Sequence, residues 1–286
     1  MSHLSVSQLK SILRCGEAFR LERVGFPQVP AVYLAGGSAF HSASERLDIA
    51  LFEGLHVDED VASNFWFDAW DYQYNKALAQ EPDTDLWRKG GRASKALPNR
   101  EDVDFWRSRG RMMLLDYYDY RKASNWGIWE LPDGSPAIEV PVQAILGDAK
   151  VVGFIDRIVV TPNGEPIVRD IKTGKPPPDA IQLGTYTEMV DQTFGVRPEW
   201  GDYYLSRDGR STAPVDLTPY SHEYLVAEYN KIDLMRKQGL YLVNEGQHCI
   251  ACGVKAGCRL KGNPETIAEY KDKLPPYEEE KQVEQS

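Results

Sequence analysis

Long hydrophobic runs, an excess of positive charge and nucleotide-binding motifs are all missing from this sequence of 286 residues. No apolar segment approaches the ~20 residues of a membrane-spanning helix, and the N-terminus lacks a signal-peptide pattern, so we expect a cytoplasmic protein without membrane contact. The formal net charge of −10 argues against indiscriminate binding to polyanions, so any nucleic-acid contact would require a local basic tract. The phosphate-binding pattern GxxxxGK[ST] is absent, and so are internal repeats.

Cysteine is scarce as well, and the four residues are Cys15, Cys249, Cys252 and Cys258. In a reducing compartment such a set binds metal more often than it forms disulfides. The last three follow the spacing C-x2-C-x5-C, and the generic interpretation of such clustered thiols is a zinc site. Unpaired buried thiols are the alternative.

The sequence does contain a regular succession of helical and strand patterns. Apolar residues at helical spacing predict helices over residues 4–24, 39–54, 58–80, 101–123, 178–193 and 220–239. Ser5 or Ser7 would cap the first helix, and Gly36-Gly37-Ser38 would open the second. Strand patterns cover residues 137–146, 150–160, 165–171 and 199–207. This order predicts a mixed α/β fold with a central mixed sheet flanked by helices.

The segment GFIDRIVVTPNGEPIVRDIKTG places charged residues inside a predicted β-hairpin. A two-residue Asn-Gly loop would put Asp156 and Asp170 on opposite faces, because side chains alternate along a strand. A three-residue Pro-Asn-Gly loop pairs Asp156 with Asp170, and it suits proline at the first position of a type I turn followed by a left-handed glycine. Lys172 then shares their face.

Two carboxylates ~5 Å apart across a sheet repel each other unless a positive charge lies between them. A hard divalent cation such as Mg²⁺ favours carboxylate, water and phosphate oxygens as ligands. Lys172 would then hold an attacking water or offset charge that develops on a phosphorane. The alternative is a solvated sheet face with ordinary charges, because the pattern D-x-K is short and common.

The motifs around this hairpin resemble those of the PD-(D/E)xK nucleases, in particular their RecB-like branch. GFIDRI carries Asp156, DIKTG carries Asp170 and Lys172, and QLGTY carries Gln182 and Tyr186. Upstream, GSAFH resembles the family's first motif, and Glu139 is a looser match to an acidic position. The resemblance implies a restriction-endonuclease-like core and a site for Mg²⁺ or Mn²⁺. The implied metal ligands are His41, Asp156, Asp170 and the backbone carbonyl of Ile171.

Three further residues complete the implied site. Lys172 would lie beside the nucleophile. Gln182 and Tyr186, four residues apart on one helix face, could contact DNA phosphate or groups that support the site. Tyr186 could equally be a core aromatic with a satisfied hydroxyl.

All four cysteines together resemble the split iron–sulfur arrangement of RecB-like nucleases of the AddB and CRISPR-associated kinds. One cysteine, Cys15, precedes the nuclease core and three follow it, and Gly16 stands where a proline is usual. The resemblance implies a 4Fe–4S cluster on Cys15, Cys249, Cys252 and Cys258. We predict a single nuclease domain over residues 1–274, with an iron–sulfur region (1–36 and 240–262), a helical insertion (55–130) and a catalytic core (137–207). The polar composition of residues 275–286 predicts a disordered acidic tail after it.

The best candidate for gripping DNA is the basic stretch 86–111, through phosphate contacts and base stacking. Its predicted contact residues are Trp87, Arg88, Lys89, Arg92 and Lys95. The alternative is a solvated helix pair with core aromatics.

These features predict a metal-dependent DNA exonuclease that acts on single-stranded ends in recombination, repair or phage DNA processing. Because the chain has no NTPase motif, it cannot unwind DNA itself, and a helicase or recombinase partner is an open alternative. Two other functions are also open: spacer-end processing in CRISPR adaptation, and a non-catalytic DNA-binding subunit on a decayed nuclease fold. The sequence leaves the oligomeric state undetermined.

Overall fold

The computed structural model describes residues 2–276, so most of the tail predicted over 275–286 lies outside the described residues. The helices are α1 Val6–Arg14, α2 Gly16–Arg23, α3 Val32–Phe52, α4 Glu59–Leu78, α5 Val103–Ala123, α6 Ile181–Phe194, α7 His222–Lys237 and α8 Pro264–Tyr270. The strands are β1 Ser2–Ser5, β2 Gly127–Ile128, β3 Ile138–Leu146, β4 Ala149–Val160, β5 Pro166–Lys172, β6 Trp200–Leu205, β7 Arg210–Ser211 and β8 Val215–Asp216. Three short 3-10 turns lie at Thr84–Leu86, Gln247–Ala251 and Lys255–Gly257.

All eight strands form one mixed sheet in the order β1-β4-β5-β6-β7, with β2 and β3 also paired to β4 and β8 paired to β6. The pairs β1–β4 and β5–β6 are parallel, and the others are antiparallel. This arrangement confirms the predicted mixed α/β fold with a restriction-endonuclease-like core. None of the helices in residues 2–276 combines the length and the apolar character needed to cross a bilayer.

The sheet contains a fork at the middle of β4. Strand β3 pairs with β4 along residues 149–157, so β1 and β5 must share the opposite edge. On that edge β1 pairs with residues 149–152, and β5 pairs only with residues 157–160. Residues 153–156 of β4 therefore lie between the end of one partner strand and the start of the other.

Two separate hydrophobic cores lie on the two sides of the sheet. One joins the sheet to α1, α6 and α7, and it includes Leu9, Leu183 and Tyr229. The other is formed by α3, α4 and α5 and reaches the sheet at Ile171 and Tyr204. Two of these helices, α4 and α5, lie within residues 55–130, where the sequence predicts a helical insertion, and they share this core with α3, which precedes that segment.

The N-terminal prediction of one helix over residues 4–24 is wrong in two respects. Residues 2–5 form β1, and the helical part is broken at Cys15, whose backbone is extended (φ −168°, ψ 109°). The Ser5 cap is present: its hydroxyl accepts a hydrogen bond from the backbone N–H of Gln8 at 3.2 Å, and the Gln8 side chain accepts one from the N–H of Ser5.

The second helix also differs from the prediction, because α3 begins at Val32, before the Gly-Gly-Ser sequence. Gly36 lies within the helix because the ring of Trp106 packs against it, and a Cβ atom there would come within 2.1 Å of that ring. Close helix packing, and not a helix start, therefore requires this glycine.

A similar close approach in the helical core gives a test of the packing. Gly110 of α5 lies against the fully buried Trp66, and an added Cβ would come within 2.0 Å of the indole ring. The Trp66 indole N–H also donates to the carbonyl of Arg107 at 2.8 Å, so the ring cannot easily move away.

We expect Gly110→Ala to lower the free energy of unfolding by about 1–3 kcal/mol, because overpacking exceeds the gain in helix propensity. Urea denaturation followed by tryptophan fluorescence would measure the change. Gly174→Ala is the matched control, because nothing lies within 4 Å of its Cβ position. Equal stability of the two variants would contradict this account of the α4–α5 contact.

Candidate metal and catalytic site

The β4–β5 hairpin has the three-residue loop that the sequence predicts. Thr161 N–H donates to the carbonyl of Glu165 at 3.0 Å, and Gly164 is left-handed with φ +86°. The ladder pairs Arg157 with Arg169, so the next positions toward the fork are Asp156 and Asp170. Both carboxylates are buried.

The fork is held open at this point by a side chain. Strands β4 and β5 have no paired residues beyond Arg157 and Arg169, and Asp156 Oδ2 accepts a hydrogen bond from Ile171 N–H at 2.6 Å. Because the N–H and C=O of one strand residue point to the same edge, the Ile171 carbonyl also faces the fork. The predicted carbonyl ligand thus lies on the same edge as Asp156.

Two more side chains that could act as metal ligands lie near Asp156, and they come from other elements of the fold. His41 of α3 has its Nδ1 3.5 Å from Asp156 Oδ1. Glu139 of β3 adopts a left-handed backbone with φ +48°, which is uncommon for glutamate and concentrates at functional sites. Donor atoms of His41, Glu139 and Asp156 all lie within 4.8 Å of one another, and within residues 2–276 no other three His, Cys, Asp or Glu donors form such a group.

The charges of this group suit a divalent cation. Burial and the charge of Asp156 raise the pKa of Glu139 to about 7, and the same two causes raise the pKa of Asp170 to about 6. Burial also works against ionisation of Asp156, but His41, the Ile171 N–H and Arg157 hold its pKa below the ordinary value. Carboxylate oxygens and an imidazole nitrogen are donors that Mg²⁺ and Mn²⁺ accept, so the residues fit such an ion.

A network of polar side-chain contacts extends from the carboxylate of Asp170 to α6. Asp170 forms an ion pair with Lys172, and Lys172 Nζ donates to Gln182 Oε1 at 3.1 Å. Gln182 Nε2 donates in turn to the hydroxyl of Tyr186 at 2.8 Å. The structure thus brings the predicted residues Asp170, Lys172, Gln182 and Tyr186 together, and Tyr186 is at the same time a buried part of the core.

Lys10 of α1 also belongs to this network of polar contacts, and no sequence motif marks it. Its Nζ donates to the same Gln182 Oε1 at 2.7 Å. Burial and the neighbouring Lys172 lower the pKa of Lys10 to about 8. Nothing in the helical pattern of α1 distinguishes this lysine from a surface residue, because its partners lie more than 160 residues away in the chain.

A second residue that the sequence analysis missed is Arg157, which follows Asp156 in the chain. Arg157 is fully buried, and its Nε donates to Asp48 Oδ2 at 2.6 Å. Its two Nη atoms reach Ser44 Oγ and Glu139 Oε1, both at 3.3 Å. His41, Ser44 and Asp48 recur at helical spacing along α3, so Arg157 fixes the face of α3 that carries His41.

The comparison with known families agrees with this geometry. The family model for the PD-(D/E)XK nuclease superfamily matches residues 3–259. The chain belongs to the PD-(D/E)XK nuclease superfamily. Nucleases of this superfamily use divalent metals, and the fold implies DNA as the substrate.

Two curated relatives are proteins of mycobacteriophages. The Gene 69 protein of Mycobacterium phage D29 is 30% identical over 263 residues, which cover 89% of this chain and 95% of the relative. The Gene 69 protein of Mycobacterium phage L5 is 29% identical over 280 residues, with the same coverage of both chains. Similarity therefore extends over nearly the whole nuclease and not only over its motifs.

The basic segment proposed to grip DNA is largely occupied with structural contacts. Trp87 is only 2% exposed, packs on Tyr74 and donates from its indole N–H to Glu81, so it offers no face to a base. Arg88 donates to the backbone carbonyls of Val29 and Ala251. The prediction of base stacking by Trp87 is therefore wrong, because the ring belongs to the α3–α5 core.

The other three predicted DNA contacts lie nearer the surface. Lys89 forms an ion pair with Asp85 at 3.5 Å between Nζ and Oδ1. Arg92 and Lys95 are exposed, and they stay candidates for phosphate contact.

The four cysteines of this nuclease line one small cavity together with Val254, Leu260 and His248. They are not drawn tightly together, since within residues 2–276 no three thiols lie within 4.8 Å of one another. Asn244 connects two of them: its N–H donates to Cys15 Sγ at 3.5 Å, and its carbonyl accepts a weak hydrogen bond from the thiol of Cys249 at 4.0 Å.

Ion pairs also join the two ends of the chain. Glu17 receives two hydrogen bonds from Arg20, at 2.8 and 2.9 Å, and two from Arg259, from its guanidinium group at 2.7 Å and its backbone N–H at 3.4 Å. Arg20 also donates to the carbonyls of Tyr270 and Lys273. The backbone of Leu242 lies so close to Gly16 that a Cβ atom would come within 2.8 Å, which explains why neither proline nor any other side chain occupies this position.

The buried pair Arg157–Asp48 gives a prediction about stability. Asp48 has two arginine partners, because Arg121 Nε lies 2.8 Å from its other oxygen. Arg157→Met removes one of the two, so we expect it to lower the free energy of unfolding by about 1.5–3 kcal/mol, the cost of a lost hydrogen bond to a charged group. The control is Arg46→Met on the same helix, because Arg46 is largely exposed and pairs with the exposed Asp68. Loss of that pair should cost about 0–1 kcal/mol.

Chemical denaturation of both variants beside the wild type would measure this difference. A cost for Arg157→Met no larger than that for Arg46→Met would show that Arg157 does not hold α3 against the sheet.

Proposed function

We propose that this chain is a RecB-like, metal-dependent DNA exonuclease that acts on single-stranded ends during phage DNA processing or recombination. The observation that carries the proposal is the convergence of Asp156, Asp170 and Lys172 at the fork in the sheet, with His41 and Glu139 beside them. The phage origin of both curated relatives supports the phage setting over CRISPR adaptation. We propose further that the protein works in the cytoplasm.

Different residues of the site would bind the metal and contact the reacting groups. His41, Glu139, Asp156, Asp170 and the carbonyl of Ile171 are the groups that would hold Mg²⁺ or Mn²⁺. Such an ion, when bound, lowers the pKa of a bound water and offsets charge on the phosphate. Lys172 is held between Asp170 and Gln182, where its ammonium group can donate to the attacking water or to a phosphate oxygen.

The surface around the site favours a single strand over extended duplex. A depression lined by Tyr33, Ser38, His41, Glu139 and Thr173 opens on one side of the carboxylates. The net charge of −10 leaves little basic surface for a duplex, whose affinity depends on many phosphate contacts. With no NTPase motif in the chain, unwinding would come from a helicase or recombinase partner.

The rival hypothesis is a non-catalytic DNA-binding subunit. It requires the catalytic groups to have decayed, but Asp156, Asp170 and Lys172 are all present and in mutual reach. Their arrangement favours an active enzyme.

The catalytic proposal predicts that Asp170→Ala abolishes cleavage and that Lys172→Ala slows it by at least about 10²–10³-fold, the effect of removing one preorganised donor. The measurement uses linear single-stranded oligonucleotides labelled at the 5′ or the 3′ end, with Mg²⁺ or Mn²⁺. Asp68→Ala, a change at an exposed carboxylate on α4, is the control and should cleave like the wild type.

The same assay tests the exonuclease assignment, because a circular single strand has no ends and should resist cleavage. Cleavage by pure Asp170→Ala protein would remove the chemistry from this site. Rapid cleavage of the circle would replace the exonuclease assignment with an endonuclease.

For the cysteines, we propose a 4Fe–4S cluster held by Cys15, Cys249, Cys252 and Cys258. All four line one cavity, as a shared polynuclear group requires. The group would add a second link between chain ends that Glu17 already joins.

Protein purified without oxygen should therefore be coloured and contain about four irons per chain. Cys15→Ala should lose the colour and melt at a lower temperature, because the terminal segments lose a cross-link. Ser11→Ala, in the last turns of α1 before Cys15, is a control and should stay coloured. Colourless protein with one stoichiometric zinc would overturn the cluster and leave the nuclease assignment intact.

A further inference from the structure

A groove beside the catalytic lysine has no role in the function described so far. It has a volume of about 880 Å³ and lies along the open edge of β4 at the fork. Its walls are α1 with Lys10 and Arg14, residues 152–154 of β4, and α6 with Gln182 and Tyr186. Ser5 of β1 and the segment 177–179 before α6, which includes Asp179, complete the lining. Because Gln182 contacts Lys172 and also lines the groove, the groove opens directly onto the catalytic site.

Lys10 makes one end of this groove attractive to an anion. Its ammonium group and that of Lys172 donate to the same amide oxygen of Gln182, at 2.7 and 3.1 Å. Lys172 is paired with the carboxylate of Asp170, whereas Lys10 donates to a neutral amide and is attracted at longer range by the carboxylates of Asp170 and Asp179. Two ammonium groups on one neutral oxygen repel each other, and a phosphate between or beside them would relieve that repulsion.

Phe154 gives the groove an aromatic surface. Its side chain is 62% exposed, although it lies in the central strand of the sheet. Its cross-strand partner on β3, Pro141, is exposed as well, so this face of the β3–β4 pair is open to solvent. Phe154 precedes Asp156 by two residues, so its Cα lies about 7 Å along the strand from a predicted metal ligand.

We propose that this groove binds the single strand next to the scissile phosphate, with Lys10 on a backbone phosphate and Phe154 stacked on one base. The proposal rests on the proposed function and adds the location of the bound strand. An ammonium group beside an exposed aromatic ring is the combination by which proteins bind single strands without reading sequence. Paired bases cannot stack on a side chain, so the groove selects for unpaired DNA.

Binding without divalent metal tests the groove independently of cleavage. Fluorescence anisotropy of a labelled single-stranded oligonucleotide, with EDTA present, should show that Phe154→Ala weakens binding by about 5–100-fold, the range expected for one base–aromatic stack. Phe154→Trp should retain tight binding. Ile145→Ala, at an exposed apolar residue of the neighbouring strand β3, is the matched control and should bind like the wild type.

Oligonucleotides with one abasic nucleotide distinguish the loss of stacking on Phe154 from a general distortion of the groove in the variant. An abasic nucleotide moved along the strand should weaken binding to the wild type at one position, and that position should have no further effect in Phe154→Ala. An identical abasic profile in the wild type and in Phe154→Ala would overturn the stacking role. Tighter binding of duplex than of single strand would overturn the proposed occupant.

The phosphate contact has its own readout in the salt dependence. Lys10→Met should reduce the slope of log affinity against log salt concentration by about 0.7, the value for one contact on a single strand, and Lys10→Arg should restore it. Lys231→Met on α7, an exposed lysine paired with Glu228, is the control. An unchanged slope in Lys10→Met would overturn the role of Lys10.

The outcomes for the groove and for the nuclease are separable. If the protein cleaves no DNA with any divalent metal but shows the expected abasic and salt effects, the groove stands and the nuclease assignment falls. If it cleaves DNA while Phe154→Ala and Lys10→Met bind like their controls, the nuclease assignment stands and the groove proposal falls.

Discussion

The buried ion pair between Arg157 and Asp48 is the contact on which the geometry of this nuclease depends. Arg157 follows Asp156 in β4, and Asp48 lies two helical turns beyond His41 in α3. The pair has no access to water, so neither charge can be separated from the other without a large desolvation cost. It therefore fixes both the distance and the rotation of α3 relative to β4, and His41 meets Asp156 as a consequence.

A second buried arginine does the same for the neighbouring strand. Arg169 lies across from Arg157 and precedes Asp170, and it forms two hydrogen bonds with Asp202 of β6 at 2.6 and 2.7 Å. Asp156 and Asp170 are thus each adjacent in sequence to a buried arginine that is held by an ion pair. Since adjacent residues on a strand point to opposite faces, an arginine that cannot rotate holds its neighbouring aspartate in the fork.

Features of the fold that depend on a few neighbouring residues could be predicted from the sequence. The Pro-Asn-Gly loop fixed the hairpin register, because turn geometry and strand alternation act over a few residues. Helical spacing located the main helices for the same reason. The strand β1, the partner of Arg157 and the position of Lys10 could not be predicted, because each depends on contacts between segments more than 100 residues apart. Trp87 was misjudged because sequence cannot distinguish a buried aromatic from an exposed one in a basic segment.

The contacts between Glu17 and Arg259 have a consequence for the order in which this fold is completed. The helix α1, which carries Lys10, is followed directly by α2, and α2 is held in place by carbonyls and an arginine from residues 259–273. A ribosome adds residues from the N-terminus onward, so Arg259 emerges 242 residues after Glu17. The contacts that hold α2 therefore form only after α1, the whole sheet and α7 have been synthesised.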